Sequence, residues 1–442
     1  MGTYRRYWDA EIETLPPASL RRLQEERLQK QLDHVFAHSA LYRKKLAASG
    51  LRRQELTRPE DLVKLPVTTK DEVRRSQEEA PPFGDLVAAD LTDVVRMHTS
   101  SGTTGRPTCM LWTRKDLQNW ADMYARQGWA VGLRPTDVFM NGWSTEWFVG
   151  GQGALMGFSH LGALTIPAGS RDSRRLVHAL RDYGVNVISG TPSLLLHLHE
   201  VAQAEGISIA ELKLHTLCLG GEPGASIPAT REKLGALWHA RPMDVYGSLE
   251  FQPIAWECRD GGRLHVCEDQ VLVEVLHPDT HEPVAMGQEG VLVLSHLDRE
   301  ACPLLRWWTG DIVVASREPC PCGRTHLALD GGVRGRVDDM LIVRGVNVFP
   351  SAVEDVLRSM PFVGDEFQIL IDRDNYDPFT RGLSKLKLRV ELQPGVEPAA
   401  GLAEHVVEEV RSRLAVGPAV ELVSHGTLPR TTMKAQRIMR TV

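Results

Sequence analysis

The sequence predicts an α/β protein. We expect a large N-terminal domain with mainly parallel sheets covered by helices plus a β-rich subdomain, and a small mobile α+β C-terminal domain. The chain has 442 residues, which is too long for one average domain. Short β-rich runs alternate with helical stretches between about residues 90 and 220, and strand and turn patterns replace them between 245 and 335.

The N-terminal region carries leucines at helical spacing among charges over residues 18–37. This pattern predicts an amphipathic helix. The helix could bind a partner, but packing against the rest of the chain is the favoured interpretation.

The alternating region contains four predicted strands and three predicted helices. The strands are Val138–Met140, Ala163–Ile166, Val185–Ile188 and Leu214–Leu219, and the helices are Lys115–Gln127, Arg174–Tyr183 and Ser193–Ala204. Such alternation indicates a mainly parallel sheet, in which ligands bind outside the carboxyl ends of the strands. Gly190-Thr-Pro-Ser193 and Gly220-Gly-Glu-Pro223 closely follow predicted strands, so both are placed where a site would lie.

The remainder of the chain predicts antiparallel sheet and then a separate unit. Gln270–Leu276 and Gly290–Ser295 alternate as antiparallel strands do. Beyond them we predict a small domain with two helices and four strands: strand Met340–Val343, helix Pro350–Met360, strands Glu366–Ile371 and Leu386–Leu392, helix Gly401–Leu414 and strand Val420–Val423. The predicted domains are residues 1–337 and 338–442, a division plausible on size.

Bulk properties exclude several classes of protein. The formal net charge of −6 does not indicate nucleic-acid binding, which usually needs an excess of basic residues. No apolar run approaches the roughly 20 residues of a membrane span. The N-terminus lacks the apolar stretch of a secretory signal. Seven cysteines without such a leader favour free thiols or metal ligands over disulfides. We expect a cytoplasmic protein that binds neither nucleic acid nor membrane.

The most informative stretch is His98-Thr-Ser-Ser-Gly-Thr-Thr-Gly-Arg-Pro-Thr108. Glycine lets backbone N–H groups point one way, and hydroxyls add donors at little steric cost. Together they suit phosphate oxygens, so the sequence predicts binding of a nucleotide triphosphate. The loop is not a Walker A loop. A flexible linker is the alternative, but apolar runs on both sides argue against it.

Four further segments carry candidate chemistry, each with an ordinary alternative. In Asp244-Val-Tyr-Gly-Ser-Leu-Glu250 a ring can lie near a base and a carboxylate can reach Mg²⁺, although Tyr-Gly is common in loops. Asp311, taken to end a strand, can hold ribose hydroxyls or can simply be a turn residue. Gly335–Pro350 fits a hinge or an ordinary charged linker, and Leu428–Arg437 places a single lysine after a short loop or is a solvated tail.

Cysteine spacing suggests a zinc site. Cys320-Pro-Cys322 is a tight pair, and Cys258 and His265 lie upstream, with Cys267 competing with His265 as fourth ligand. Three cysteines and a histidine suit tetrahedral Zn²⁺, and a site with no open position would be structural. Unrelated buried thiols are the alternative.

The ordered co-occurrence of these segments resembles the adenylate-forming superfamily of acyl-CoA ligases. Within it the sequence is similar to the phenylacetate–CoA ligase family over nearly the whole chain. The likeness is carried by Ser100-Ser-Gly-Thr-Thr-Gly105, Leu297-Asp-Arg-Glu-Ala-Cys-Pro-Leu-Leu-Arg306 and Asp338-Asp-Met-Leu-Ile-Val-Arg-Gly-Val-Asn-Val-Phe-Pro350. Met433 departs from the glycine usual before the lysine, and Arg106 stands where lysine is common.

The resemblance implies roles for individual residues. The ATP phosphates would be bound by Thr99, Ser100, Ser101, Gly102, Thr103 and Thr104. The adenine would lie beside Gly221, Glu222, Pro223 and Tyr246, and Asp244 and Gly247 would also belong to the nucleotide site. Glu250 would bind Mg²⁺, and Asp311 and Arg336 would hold the ribose. Asp338 would be a hinge that alternately brings Lys434 and the Gly345 region to the site. The family also favours Cys258, His265, Cys320 and Cys322 as zinc ligands, and relatives are often homodimers.

The resemblance implies ATP, Mg²⁺ and coenzyme A as cosubstrates and cofactors. The family segment corresponding to Asn141–Gly153 lines the acyl pocket. There Trp143, Trp147 and Phe148 could wall a flat acid and Gly150 and Gly151 could give it room, or the rings could be plain core. Glu146 could accept a hydrogen bond from a substituent, face solvent or pair with an arginine.

An aryl acid resembling benzoate, anthranilate or phenylacetate is therefore the preferred substrate, and a small hydroxy acid is the rival. The same adenylation chemistry could instead pass its product to a carrier-protein thiol or an alcohol cofactor. A non-catalytic ligand-binding protein on the same scaffold is disfavoured, because Lys434, Glu250 and Asp311 are all present.

Overall fold

A computed structural model describes residues 4–100, 107–170, 172–378, 382–430 and 435–441. The chain divides into two compact units, each built from two stretches of sequence. Unit 1 comprises Met1–Gly169 and Val245–Gly332, and unit 2 comprises Ser170–Asp244 and Val333–Val442. None of the helices in the described ranges is both long and apolar enough to cross a membrane.

The described residues form eleven α-helices. They are α1 (Ala10–Glu13), α2 (Pro17–His38), α3 (Ala40–Ser49), α4 (Lys70–Glu79), α5 (Arg114–Val131), α6 (Val149–Leu161), α7 (Ser173–Asp182), α8 (Pro192–Ala204), α9 (Pro228–Trp238), α10 (Pro350–Arg358) and α11 (Ala400–Leu414). Every helix predicted from the sequence is confirmed within a few residues. The N-terminal helix α2 is packed rather than free, since Leu28, Leu32 and Val35 are fully buried.

The same part of the chain forms twenty strands. They are β1 (Val94–Thr99), β2 (Cys109–Thr113), β3 (Val138–Asn141), β4 (Leu164–Ile166), β5 (Val187–Gly190), β6 (Thr216–Leu219), β7 (Arg241–Tyr246), β8 (Ala255–Glu257), β9 (Leu264–Val266), β10 (Val271–Leu276), β11 (Glu289–His296), β12 (Trp307–Ser316), β13 (Ala328–Leu329), β14 (Gly335–Arg336), β15 (Leu341–Val343), β16 (Val346–Val348), β17 (Val363–Ile371), β18 (Lys387–Leu392), β19 (Ala419–Val423) and β20 (Ile438–Arg440).

Unit 1 combines a parallel strand pair with an antiparallel sheet. Strands β3 and β4 pair in parallel. Strands β8, β9, β13, β12, β11 and β10 follow one another in space as antiparallel neighbours, which confirms the β-rich subdomain. A separate hairpin joins β1 to β2, with Thr99 opposite Cys109.

Helices α5 and α6 of unit 1 approach closely because α6 carries glycines on the contact face. A Cβ added to Gly153 or Gly157 would lie 2.4 Å or 2.1 Å from atoms of Tyr124 on α5, well inside van der Waals contact. Tyr124 is 1% exposed. The glycines therefore set the spacing of the two helices, and the helix following β3 has no freedom to shift inward.

Unit 2 contains a parallel sheet and a second, smaller sheet that packs with two helices. Strands β5, β6 and the first part of β7 are parallel neighbours, with α8 and α9 as their connections. Helix α8 begins where Thr191 caps it, its hydroxyl accepting the Leu194 N–H at 3.1 Å, and Pro192 occupies the first turn.

The C-terminal part of unit 2 has a four-stranded sheet in the order β19-β18-β17-β20. Helices α10 and α11 contribute Val353, Leu357, Val406 and Val410 to one core with this sheet, and all four side chains are fully buried. The helices and strands predicted for the small domain are present, and β16 and β20 are added to them.

Candidate active site

The candidate phosphate loop connects β1 to β2. The Ser100 N–H donates to the Thr108 carbonyl at 2.9 Å, and the Thr108 N–H donates to the Ser100 hydroxyl at 3.0 Å. These bonds close the two ends of the loop on each other. Residues 101–106, which include the predicted phosphate ligands Ser101, Gly102, Thr103 and Thr104, lie outside the described residues.

His98 lies on β1 immediately before this loop. Its Nδ1 is 3.2 Å from the Trp147 carbonyl oxygen, which also accepts the Thr99 N–H at 2.9 Å. The imidazole meets Trp112 and Trp120 edge to face, at centroid distances of 5.1 and 5.6 Å. Burial lowers the pKa of His98 to about 4, so the ring is neutral at pH 7 and Nδ1–H can be the donor.

The segment Asn141–Gly151 is tied to that strand through Trp147. The Trp147 backbone has φ of 61°, a left-handed conformation that is rare for a bulky residue, and its indole is 64% exposed. Trp143 and Phe148 are half-buried, whereas Glu146 is exposed. The side chains proposed to wall an acyl pocket therefore differ in environment, and Trp147 is not core.

Glycines shape the turn into α6. A Cβ on Gly151 would lie 2.6 Å from the Ser144 carbonyl oxygen and 2.9 Å from Asn141 Nδ2, so the backbone conformation seen here leaves room only for glycine at this position. The Asn141 amide donates to the Trp143 carbonyl at 2.8 Å and completes this turn. Gly150 has more space, since its nearest neighbour would be Gln252 Nε2 at 3.8 Å.

Tyr246 and Asp311 are brought together within unit 1. The Tyr246 hydroxyl donates to Asp311 Oδ2, and the Asp311 N–H donates to the Thr309 hydroxyl at 3.0 Å. The expectation that Asp311 ends a strand was wrong. It lies inside β12, at an irregularity in the pairing with β11 where Gly310 adopts φ of 76°, and this bulge re-aims the backbone.

Glu250 lies in the turn after β7, in the same unit. Burial raises the pKa of its carboxyl, and the nearby Asp311 carboxylate raises it further, while Lys70 opposes the shift. Gly247 provides room for the side chain of Gln252, whose Oε1 would be 1.8 Å from an added Cβ. Gln252 was not among the site residues predicted from the sequence, where its only signal is its place in the Glu250–Pro253 turn.

The predicted adenine loop lies in unit 2 and packs on the start of α8. Gly221 has φ of 93°, and a Cβ on Gly224 would lie 2.2 Å from Pro192. Glu222 Oε1 accepts the Ser193 N–H at 2.7 Å, and Oε2 accepts the Ala435 N–H at 2.6 Å. Pro223 is exposed.

Two carboxyl groups of the predicted site lie in this loop and on the neighbouring strand. Burial raises the pKa of the Glu222 carboxyl, against the effect of the two N–H groups that it accepts. Asp244 lies on β7 opposite Leu219 of β6, at the carboxyl end of the parallel sheet.

The predicted hinge lies between β14 and β15, also in unit 2. Asp338 is exposed in a turn, and Arg336 holds its carboxylate by two bonds of 2.9 and 3.2 Å. Arg344 and Gly345, with φ of 51° and 82°, form the two-residue turn of the β15–β16 hairpin. Lys434 lies outside the described residues.

The four predicted zinc ligands form one buried cluster in unit 1. The ligand atoms of Cys258, His265, Cys320 and Cys322 lie within 4.8 Å of one another. Cys258 Sγ is 3.5 Å from Cys320 Sγ, and Cys322 Sγ is 3.3 Å from His265 Nε2.

Two further features of the cluster suit a metal ion. His265 Nδ1 is 3.0 Å from the His326 carbonyl, which fixes Nδ1 as the protonated nitrogen and leaves the Nε2 lone pair toward the cysteines. A Cβ on Gly261 would lie 2.2 Å from Cys320 Sγ, so glycine makes room for the thiols. Cys267 is outside the cluster, and its sulfur accepts the Gln127 amide at 3.1 Å.

Comparison with protein families defines the class. A model described as AMP-binding enzyme matches residues 17–297, and one described as AMP-binding enzyme C-terminal domain matches residues 345–441. A parallel α/β region, a β-rich subdomain and a small α+β domain with this set of motifs define an adenylate-forming enzyme.

Individual relatives narrow the class. The phenylacetate-coenzyme A ligase of Thermus thermophilus is 36% identical, over 96% of this chain and 97% of its own. The Escherichia coli phenylacetate-coenzyme A ligase is 32% identical, over 97% and 96%. A solved 2-hydroxyisobutyryl-CoA ligase, in the postadenylation state with 2-HIB-AMP, is 32% identical with a TM-score of 0.94, covering 100% of this chain and 93% of that one.

The chain belongs to the phenylacetate–CoA ligase family of AMP-binding enzymes. It is an AMP-forming acid–CoA ligase, which activates a carboxylic acid with ATP as acyl-AMP and transfers the acyl group to coenzyme A.

Proposed function

We propose that the acid activated by this ligase is an aryl acid of the benzoate, anthranilate or phenylacetate type. The observation that carries this choice is the aromatic segment before α6, where Trp143 and Phe148 are half-buried. Trp143 also meets the buried Trp256 edge to face at 6.4 Å. Flat aromatic walls suit a flat ring, which such contacts favour by about 0.5–1.5 kcal/mol per pair.

A small hydroxy acid is the second candidate. It is favoured by the structural likeness to the 2-hydroxyisobutyryl-CoA ligase, whose TM-score and coverage are high. Glu146 is exposed in this segment, and its carboxylate could accept a hydrogen bond from a polar substituent on either kind of acid.

The chemistry assigns one task to each group. The acid's carboxylate oxygen attacks the α-phosphorus of ATP, pyrophosphate leaves, and the thiol of coenzyme A then attacks the acyl carbonyl and displaces AMP. The loop from Thr99 to Thr104 would hold phosphate oxygens through N–H and hydroxyl donors, and Lys434 would offset the charge on the α-phosphoryl group and the reacting carboxylate. Asp311, oriented by Tyr246, would accept the ribose hydroxyls.

Magnesium fits Glu250. Burial raises the pKa of the half-buried Glu250 carboxyl, and a divalent cation beside it would favour its charged form. When bound, Mg²⁺ supplies charge neutralisation at the phosphates.

Zinc fits the Cys258 cluster by donor type, burial and spacing. With three cysteines and one histidine as ligands, no position remains for substrate, so its role would be structural.

The proposed domains are residues 1–337, which would bind acid and ATP, and 338–442, which would carry Lys434 and turn about Asp338. Turning would exchange Lys434 for the Gly345 hairpin between the two half-reactions, because one site must serve both. A homodimer and a cytoplasmic location stay predictions.

The deciding experiment is pyrophosphate–ATP exchange across a panel of aryl acids and short hydroxy acids, followed by coenzyme A thioester formation with the active ones. Exchange with aryl acids at the highest kcat/KM is the expected result. A preference for hydroxy acids would replace the first candidate with the second, and no exchange with any acid would overturn both.

A further inference from the structure

Helix α9 meets the C-terminal part of unit 2 through charged and polar groups. Lys233 on α9 donates to Asp365 Oδ1 on β17. One turn earlier in the same helix, the Ala229 N–H donates to Asp355 Oδ1 on α10 at 3.2 Å. The side chains of Lys233 and Asp365 are 23% and 15% exposed, so water is largely excluded from this ion pair.

Asp365 has a second cationic partner, which lies on its own side of this contact. Arg358 on α10 donates to the same Oδ1 at 3.1 Å and to the Asp365 carbonyl at 3.2 Å. The arginine side chain is 2% exposed and also donates to Glu354 at 2.7 Å. When Lys233 moves away, Asp365 therefore keeps a buried cation, and the heavy cost of an unpaired buried charge is avoided.

These contacts join residues that lie on opposite sides of Asp338 in the chain. Ala229 and Lys233 precede it, whereas Asp355 and Asp365 follow it. A turn of residues 338–442 about Asp338 must therefore break the Lys233 ion pair and the Ala229 hydrogen bond together, while the Arg358 contacts move with Asp365.

We propose that Lys233 and Asp365 form a latch, an ion pair that holds residues 338–442 against α9 in one of the two orientations that the reaction uses. The latch opens when those residues turn to the other orientation. The proposal rests on the proposed function, in which the turn about Asp338 separates the two half-reactions. Arg358 makes the latch reversible, because it keeps Asp365 paired in both orientations.

The Ala229 N–H reports whether the latch is closed. At the second position of α9 a backbone N–H has no acceptor within its own helix, and Asp355 supplies one from α10. Lys233→Met keeps the length of the side chain and removes its charge. Residue-resolved hydrogen exchange should show the Ala229 amide exchanging about 3–10-fold faster in this variant, the effect of losing one partly buried ion pair.

Lys387→Met is the matched control. Lys387 pairs with Asp372 at 2.8 Å, and its side chain is 26% exposed, close to the 23% of Lys233. Both members of this pair follow Asp338, so the turn does not separate them. Exchange of the Ala229 amide should stay within about twofold of the parent protein. Faster exchange in both variants, or in neither, would overturn the latch.

Ligand dependence tests the opening of the latch without any acid. Exchange at Ala229 should differ at least about threefold between the parent protein saturated with MgATP and the same protein saturated with AMP and coenzyme A, because the two sets of ligands serve different half-reactions. Equal exchange would overturn the proposal. An acid panel without activity, beside ligand-dependent exchange, would contradict the proposed substrate and leave the latch standing.

The two half-reactions give a functional readout. Lys233→Met destabilises one orientation only, so the ratio of pyrophosphate exchange to thioester formation from a supplied acyl-adenylate should change by about 3–10-fold. Lys387→Met should leave this ratio unchanged. A general structural defect lowers both rates alike, and an unchanged ratio in Lys233→Met would overturn the proposal.

Discussion

The hydroxyl of Tyr246, at the end of β7, donates a hydrogen bond to the Asp311 carboxylate in a bulge of β12. The bond fixes the orientation of a carboxylate that is 7% exposed. The tyrosine can therefore have two separable parts in ATP binding, a ring beside the base and a hydroxyl that aims the ribose ligand.

Tyr246→Phe tests that separation. Losing one donor to a buried carboxylate costs about 1–3 kcal/mol, which predicts an increase of about 5–150-fold in the KM for ATP in pyrophosphate exchange. Tyr246→Ala should cost more, because it also removes the ring. An equal loss in the two variants would mean that the hydroxyl alone matters, and no loss in Tyr246→Phe would remove Asp311 orientation from its role.

The neighbouring glycines Gly150 and Gly151 should respond differently to alanine. In Gly151→Ala the new methyl group meets backbone oxygen at 2.6 Å, so we expect a loss of about 1–3 kcal/mol in the free energy of unfolding. Gly150→Ala is the control, with its nearest neighbour at 3.8 Å, and should stay within about 0.5 kcal/mol. Urea unfolding of both variants measures the difference, and equal stabilities would contradict the close packing of this turn.

Bound metal should follow the four-residue cluster. The purified protein is expected to hold about one zinc per chain, the stoichiometry of a closed four-ligand site. Cys258→Ser should lose the metal and lower the unfolding midpoint, whereas Cys267→Ser, which alters a buried thiol outside the cluster, should keep it. Elemental analysis of the three proteins is the measurement, and equal zinc content in all of them would remove Cys258 from the ligands.

Protonation of His98 should make stability depend on pH between about 6.5 and 4. Its pKa is about 4 in the folded protein against a usual 6.5, so over this range the unfolded chain binds the proton first. The contribution of neutral His98 to the free energy of unfolding is therefore fully present above pH 6.5. It falls by about 1.4 kcal/mol per pH unit as the pH drops toward 4. From pH 7.5 to 5 the parent protein should lose about 2 kcal/mol more than His98→Gln, by denaturant unfolding.

If the free energy of unfolding of His98→Gln falls by a similar amount over this pH range, the acid sensitivity belongs to other groups. The acidic carboxyls titrate in both proteins, so their contribution cancels in the difference.

Sequence patterns predicted the regular elements well because burial imposes periodicity. The predicted strand Leu214–Leu219 and the predicted helix Arg174–Tyr183 follow from apolar spacing, and they match β6 and α7 within two residues. Helix α6 was missed because Val149-Gly-Gly-Gln-Gly153 is rich in the residue that least favours helices, and close packing on Tyr124 outweighs that propensity.

The site was predictable in its residue types and less so in its contacts. Donor spacing predicted a metal cluster with either His265 or Cys267 as fourth ligand, the family resemblance favoured His265, and the structure gathers that set of four residues. The bulge at Gly310 that carries Asp311 has no period to detect, and the bridge of Glu222 to Ala435 joins residues more than two hundred positions apart. Such contacts depend on tertiary packing, which a single sequence does not display.

The glycines that hold α6 against Tyr124 also limit how substrate range can be engineered. Since that helix cannot move inward, and residues larger than glycine would collide with α5, changes to its buried face trade stability for little new volume. Variation is cheaper on the other side, in the exposed turn that carries Glu146 and Trp147 and at roomy Gly150. If this segment lines the acyl pocket as proposed, a library meant to retarget this ligase to a different acid should therefore be concentrated on those three positions.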